Sequence, residues 1–183
     1  MGNETLPAPD GDVLVTPRLR LVPLRVDHAV EMAGVLADPA LNAFIGGRPP
    51  STDELRATYR RQVAGRSPDG AEGWHNWIVR TRDPDEAVGF VQATIRDGGR
   101  LADVAWVVGV PWQGRGFATE AARAMVAWLE ARGAVTVTAH VRPGHAASER
   151  IAERAGLAAT DEVEDGETIW RRDAPAQRPG AAP

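Results

Sequence analysis

The stretch from Leu101 to Arg132, LADVAWVVGVPWQGRGFATEAARAMVAWLEAR, constrains the fold more than any other part of the chain. From Leu101 to Val110 the residues are apolar, mostly Val, Ala and Trp, with one charge at Asp103. That composition predicts a strand covered on both faces. Pro111 has no N–H to give and ends the ladder. Gly114 and Gly116 then permit positive φ and a close approach to the main chain. Ala118, Ala121, Ala122, Met125, Trp128 and Leu129 recur at steps of three or four, so a helix follows with one apolar stripe toward a sheet and Glu120, Arg123 and Glu130 toward water. Gly133 closes it.

A strand that delivers a glycine turn to a helix start gathers unpaired N–H groups at the positive end of the helix dipole. Such a point wants an anion. Arg115 adds a fork suited to phosphate oxygens. The nucleoside-triphosphate loop GxxxxGK followed by Ser or Thr does not occur. The dinucleotide pattern GxGxxG fails as well, because Thr119 stands at its third glycine and the turn comes mid-chain.

With 183 residues the chain fits one domain with a sizeable core. Its formal charge of −4 gives no general attraction to nucleic acid or to an anionic membrane. The absence of cysteine removes disulfides, thiolate metal sites and a thiol nucleophile. His28, His75, His140 and His145 show no metal-ligand spacing, so no metal site is expected. No apolar run reaches a membrane span and no signal peptide is read, so a cytoplasmic protein is the expectation.

Residues 1–12 and 173–183 are rich in Pro, Gly and Ala and read as frayed tails around a single domain over 13–172. Within it, Arg18 to Leu24 alternates as a half-buried strand that Pro23 confines to an edge. Asp27 sits as the N-cap of a first helix. Ser51 and Glu54 form a capping box for a second helix, reaching about Ala64. Trp74 to Thr81, Ala87 to Ile95 and the central strand form an antiparallel meander. Ala134 to Val141 is a fifth strand, parallel to the central one because a helix connects them. A short helix over Ser148 to Ala155 and a last hairpin around Glu164-Asp165-Gly166 complete an α/β (α+β) domain.

The string Gln113-Gly114-Arg115-Gly116-Phe117-Ala118 resembles the (Q/R)xxGx(G/A) loop of the GCN5-related N-acetyltransferases (GNAT), and VPWQGRGFATEA is similar to the branch of ribosomal-protein and small-molecule acetyltransferases. The element order over roughly Val15 to Arg172 is that of the same family, which implies a mixed sheet of about 6–7 strands with flanking helices. The resemblance implies acetyl-coenzyme A as co-substrate and a small-molecule amine or a protein α-amine as acceptor. Dimers are common in that family, so a homodimer is admitted. Loop amides from Gln113 to Thr119 would hold the pyrophosphate. Main-chain groups of Trp106, Val107 and Val108 would face the pantetheine arm, an amide near Val108 polarising the thioester.

For the base, Asp103 is the leading candidate, as the one carboxylate of the central strand, where desolvation would raise its pKa. An ion pair with Arg100 or with an arginine of a neighbouring strand is the competing reading. GHAASERIAERAGL resembles the family's NxxSxRxxExxGF. Ser148 then lies near the sulfur, or serves only the first turn of its helix. His145 replaces the usual asparagine, and Ala152 falls where a tyrosine acid is common. Phe44, Trp74, His75, Asn76 and Trp77 are candidate acceptor contacts, with ordinary packing as the other reading. A ternary-complex N-acetyltransferase and a non-catalytic acyl-coenzyme A binding module both stay open.

Overall fold

The structure, a computed structural model, describes residues 12–42 and 46–174. In chain order the strands and helices are β1 Leu14–Val15, β2 Leu19–Pro23, α1 Ala29–Val35, α2 Thr52–Gln62, β3 Gly73–Thr81, β4 Ala87–Arg96, β5 Leu101–Val108, α3 Phe117–Ala131, β6 Thr136–Val141, α4 Ala146–Arg154, β7 Ala158–Glu164 and β8 Glu167–Asp173. One eight-stranded sheet runs β1-β2-β3-β4-β5-β6-β8-β7. This is one strand more than expected, because Leu14 and Val15 pair with Leu21 and Arg20. That short strand stops before Pro23, so the outer edge of the proline meets no ladder. Among the described residues the one parallel pairing in the sheet is β5 with β6.

The pleat sorts side chains onto two cores. On one face, Ala121, Met125 and Leu129 of α3 pack over Leu19, Val79, Val91, Val104 and Val137. On the other, Met32 of α1 and Leu55 and Tyr59 of α2 cover Ile78. Helix α2 starts at the expected capping box: Ser51 Oγ accepts from the Glu54 amide at 3.3 Å and Glu54 accepts from the Ser51 amide at 2.8 Å. Asp27 departs from expectation. It lies inside a 3₁₀ turn over Val26–His28, and its carboxylate pairs with Arg25 instead of capping a helix.

Two carboxylates of α3 that the helical wheel assigns to water are engaged. Glu130 pairs with Arg172 of β8. Glu120 accepts from the Thr16 hydroxyl at 2.6 Å, the Arg18 amide at 2.9 Å and the Arg18 guanidinium at 2.7 Å, tying the approach to β2 onto the first turn of α3. Asp12 is fixed too: its carbonyl accepts from Trp77 at 3.0 Å and its carboxylate takes Trp128 and Arg132. Apart from two contacts of His140, arginine supplies the cation in these and the other ion pairs of the described residues. Met125 is fully buried at the centre of the larger core. Met125→Ala is expected to cost about 2–5 kcal/mol, read as a lower denaturant midpoint at unchanged slope.

Candidate active site

The site is built where β5 and β6 part. Their pairing covers Leu101–Thr136, Ala102–Val137 and Asp103–Thr138 and then ends, while β5 runs on to Val108 and β6 to Val141. The Gly109 amide donates to the Val88 carbonyl of β4 at 2.9 Å. Because main-chain groups alternate sides along a strand, those of Val108 and Trp106 face away from β4 and into the gap. The Val108 carbonyl is taken by Gln113 Nε2 at 3.0 Å. Gln113 thus ties the loop to the strand end.

Beyond a 3₁₀ turn over Val110–Trp112, Gly114 and Gly116 have φ of 75° and 79°, where a Cβ would be strained, and Gly116 is the N-cap of α3. Among the described residues no protein acceptor takes the amides of Gly114, Arg115, Gly116, Phe117, Ala118 or Thr119. These amides sit at the positive end of a 15-residue helix. Arg18 braces the loop from behind: it donates to the Arg115 carbonyl at 2.8 Å and lies 5.0 Å from the Phe117 ring centre. The Arg115 side chain is exposed and makes no ion pair among the described residues. The arrangement can hold a pyrophosphate and leave a connected arm lying in the gap between the strands.

Helix α4 begins beside the same gap. Glu149 accepts from the Gly144 amide at 3.0 Å just ahead of the helix, His145 is the N-cap residue, and no side chain, Ser148 included, caps the first turn. The half-buried Ser148 hydroxyl makes no hydrogen bond among the described residues. Burial pulls the His145 imidazole below its ordinary value despite the nearby Glu149. Ala152 is fully buried in the core.

The candidate acceptor residues of β3 are split by the pleat. His75 and Trp77 face α3, where Trp77 is 2% exposed and the two rings lie 4.9 and 5.0 Å from Trp128. Burial, with Arg132 close by, pushes the His75 imidazole down. Their rings sit among packing groups, and Trp77 also contributes to the lining of the 260 Å³ cleft described next. Trp74 and Asn76 face the other way, level with Thr94 and Gln92 of β4. Phe44 lies outside the described residues.

Two clefts open on that second face. One, of about 300 Å³, is polar and lined by Arg96, Asp103, Thr138, His140, Glu164 and Arg171, among others. Asp103 is 27% exposed and is held by Arg96 and by the Thr138 hydroxyl, so the neighbouring-strand ion pair is present. Arg96 also pairs with Glu72 at 3.3 Å, and Glu72 accepts from Trp74 Nε1 at 3.0 Å. His140, which sequence reading passed over, places Nε2 3.9 Å from Asp103 and Nδ1 3.9 Å from Glu164. The other cleft, of about 260 Å³, lies between α1, α2 and the sheet, with Asn76 and Gln92 at its floor and Tyr59 in its wall. Among the described residues there is no group of three or more His, Asp or Glu placed to hold a metal, and no helix long and apolar enough to cross a membrane.

A family model described as acetyltransferase (GNAT) domain matches residues 18–158. The chain belongs to this family, and with it to the acetyl-CoA-dependent N-acetyltransferases. No curated protein matches it. Among solved structures it is similar to the acetyl transferase that modifies the N-terminal serine of ribosomal protein L7/L12 from Salmonella typhimurium, at 15% identity, TM-score 0.73, over 90% of this chain and 100% of that one. It is also similar to a GNAT-family acetyltransferase from Bacillus anthracis, at 14% identity, TM-score 0.71, over 88% and 98%. A third is the aminoglycoside acetyltransferase AAC(6')-Ib in complex with coenzyme A, at 16% identity, TM-score 0.69, over 85% and 94%.

The brace behind the loop is open to a pH test. Burial pushes the Glu120 carboxyl up, but the hydrogen bonds from Thr16 and Arg18 outweigh it and leave the net shift downward from 4.5. A depressed folded value means that the stabilisation is whole above the ordinary carboxylate range and is lost as pH falls through the folded value. Glu120→Gln is expected to lower the denaturant midpoint at pH 7 and to flatten its decline between pH 5 and pH 3, followed by chemical denaturation across that range.

Proposed function

We propose that the chain transfers the acetyl group of acetyl-CoA to a primary amine of a small molecule, by direct attack within a ternary complex. The observation that carries this reading is the run of unclaimed amides from Gly114 to Thr119 at the start of α3, beside the gap between β5 and β6. With the pyrophosphate on those amides, the pantetheine arm lies against the open edge of Trp106 to Val108 and the sulfur comes toward α4. A protein α-amine is the rival acceptor.

The neutral amine attacks the thioester carbonyl, a C–N bond forms, and negative charge gathers on the carbonyl oxygen. The Val108 amide, turned into the gap, is the donor placed to stabilise it. As the C–S bond breaks, the thiolate takes a proton, and Ser148 offers its unengaged hydroxyl there. The amine proton leaves on the polar-cleft side. Asp103, already bound by Arg96 and Thr138, steers and balances charge; His140, 3.9 Å from it, is the group proposed to take the proton. The buried Ala152 offers no acid, and this supports a second reading in which the chain binds acyl-CoA without turnover.

Acetyl-CoA is expected to raise the melting temperature, and a thiol-release assay over a panel of amines should give turnover with at least one of them. No thermal shift would defeat both readings, and a shift without turnover would leave the binding module. His140→Ala is expected to lower kcat by about 10²-fold, the usual contribution of a proton-transfer group, with the Kd for acetyl-CoA unchanged by calorimetry.

A further inference from the structure

The two clefts on the acceptor face differ in chemistry, and the difference bears on what the enzyme acetylates. Around the 260 Å³ cleft the wall is made by Leu24, Leu36, Leu41, Leu55, Ile78 and Phe90. Among the described residues no carboxylate lines it. Its one charge is Arg48, which is already paired with Glu54 at 2.5 Å. The lining matches a mostly apolar ligand site with a few convergent polar groups, and a volume just below the usual lower bound of about 300 Å³ suits only a small ligand.

Those polar groups are present and unengaged. Tyr59 is 5% exposed, lines the cleft, and its hydroxyl makes no hydrogen bond among the described residues. The hydroxyl is open to the cleft, and the buried side-chain polar atom left without a partner among the described residues, Asn42 Oδ1, belongs to the same lining; a ligand group that meets such atoms removes the cost of leaving them unpaired. Burial, with Glu31 adding, pushes the Tyr59 phenol up to about 12, so it stays a neutral donor at physiological pH. The side-chain amides of Asn76 and Gln92 are likewise unbonded among the described residues and form the floor. Gln92 pairs across β4 and β5 with Ala105, two residues past Asp103, and His140 lies two residues past Thr138, the last partner of Asp103 before the strands part. Ala105 is partly exposed and small, so nothing bulky stands beside Gln92 on that side.

We infer that the acceptor is a monoamine with an uncharged, largely apolar body bearing one hydrogen-bonding group: the body fills the cleft between α1, α2 and the sheet, the polar group meets Tyr59, and the amine crosses Ala105 toward His140. A polycation is disfavoured because its further ammonium groups would be desolvated in that cleft with no carboxylate to receive them. This inference rests on the acetyltransfer reading above and narrows its substrate.

The test compares phenethylamine and tyramine with spermidine and kanamycin, using the full chain and acetyl-CoA. The apolar monoamines are expected to exceed the polycations in kcat/KM by at least about tenfold, the scale on which apolar pockets discriminate. Calorimetric titration of the same four amines in the presence of coenzyme A should rank them alike. Tyr59→Phe is expected to remove the preference for tyramine over phenethylamine. Thr58→Trp, at the half-buried rim of the cleft, should weaken both monoamines by at least about tenfold while the acetyl-CoA thermal shift is retained. Preference for spermidine or kanamycin, equal turnover of all four, or indifference of the monoamines to Thr58→Trp would overturn the inference and leave acetyltransfer standing. Loss of the acetyl-CoA thermal shift in the unmodified chain would instead strike the reading on which it rests.

Discussion

The parallel pairing of β5 with β6 stops at Asp103 and Thr138, and the site is arranged around that interruption. A strand buried on both faces ordinarily exchanges hydrogen bonds with neighbours along its length. Here β4 follows β5 to Val108, while the other side of β5 is left with main-chain groups and no strand to take them. The same connection that makes β5 and β6 parallel is helix α3, so the helix start and the strand gap are fixed together. In the proposed site, an anion held at one would be aligned with an extended arm in the other.

Much of this was legible in the letters, for physical reasons. Positive φ at Gly114 and Gly116, the proline that ends the central strand and the apolar stripe of α3 are local properties, and local properties are written in local sequence. The capping box at Ser51 and Glu54 is of the same kind. Asp27 misled because its carboxylate had a stronger partner two residues away in Arg25. Glu120 and Glu130 misled because a helical wheel knows nothing of Arg18 and Arg172, which arrive from opposite ends of the chain.

The acceptor face was the least legible part. A strand's period of two says that His75 and Trp77 share a side and that Trp74 and Asn76 share the other, but which side meets the substrate depends on where Trp128 packs. Tyr59 and Gln92 reach one cleft from a helix and a strand while His140 lines the other, leaving no spacing for a motif to reveal. Asp103 stood out as a lone carboxylate in an apolar strand. In the fold it is one link in a chain from Trp74 through Glu72 and Arg96 to Thr138, with His140 alongside.

The reliance of the ion pairs on arginine has a chemical consequence as well as a structural one. The sequence contains no lysine and no cysteine, so the body of the protein presents no side-chain primary amine and no thiol to an activated thioester. Guanidinium groups keep their protons and are poor nucleophiles at neutral pH. A catalyst of acetyl transfer built this way has no side-chain amine of its own to compete with its substrate. The electrostatic ties that hold its loop and strands cannot be neutralised by the reagent it handles.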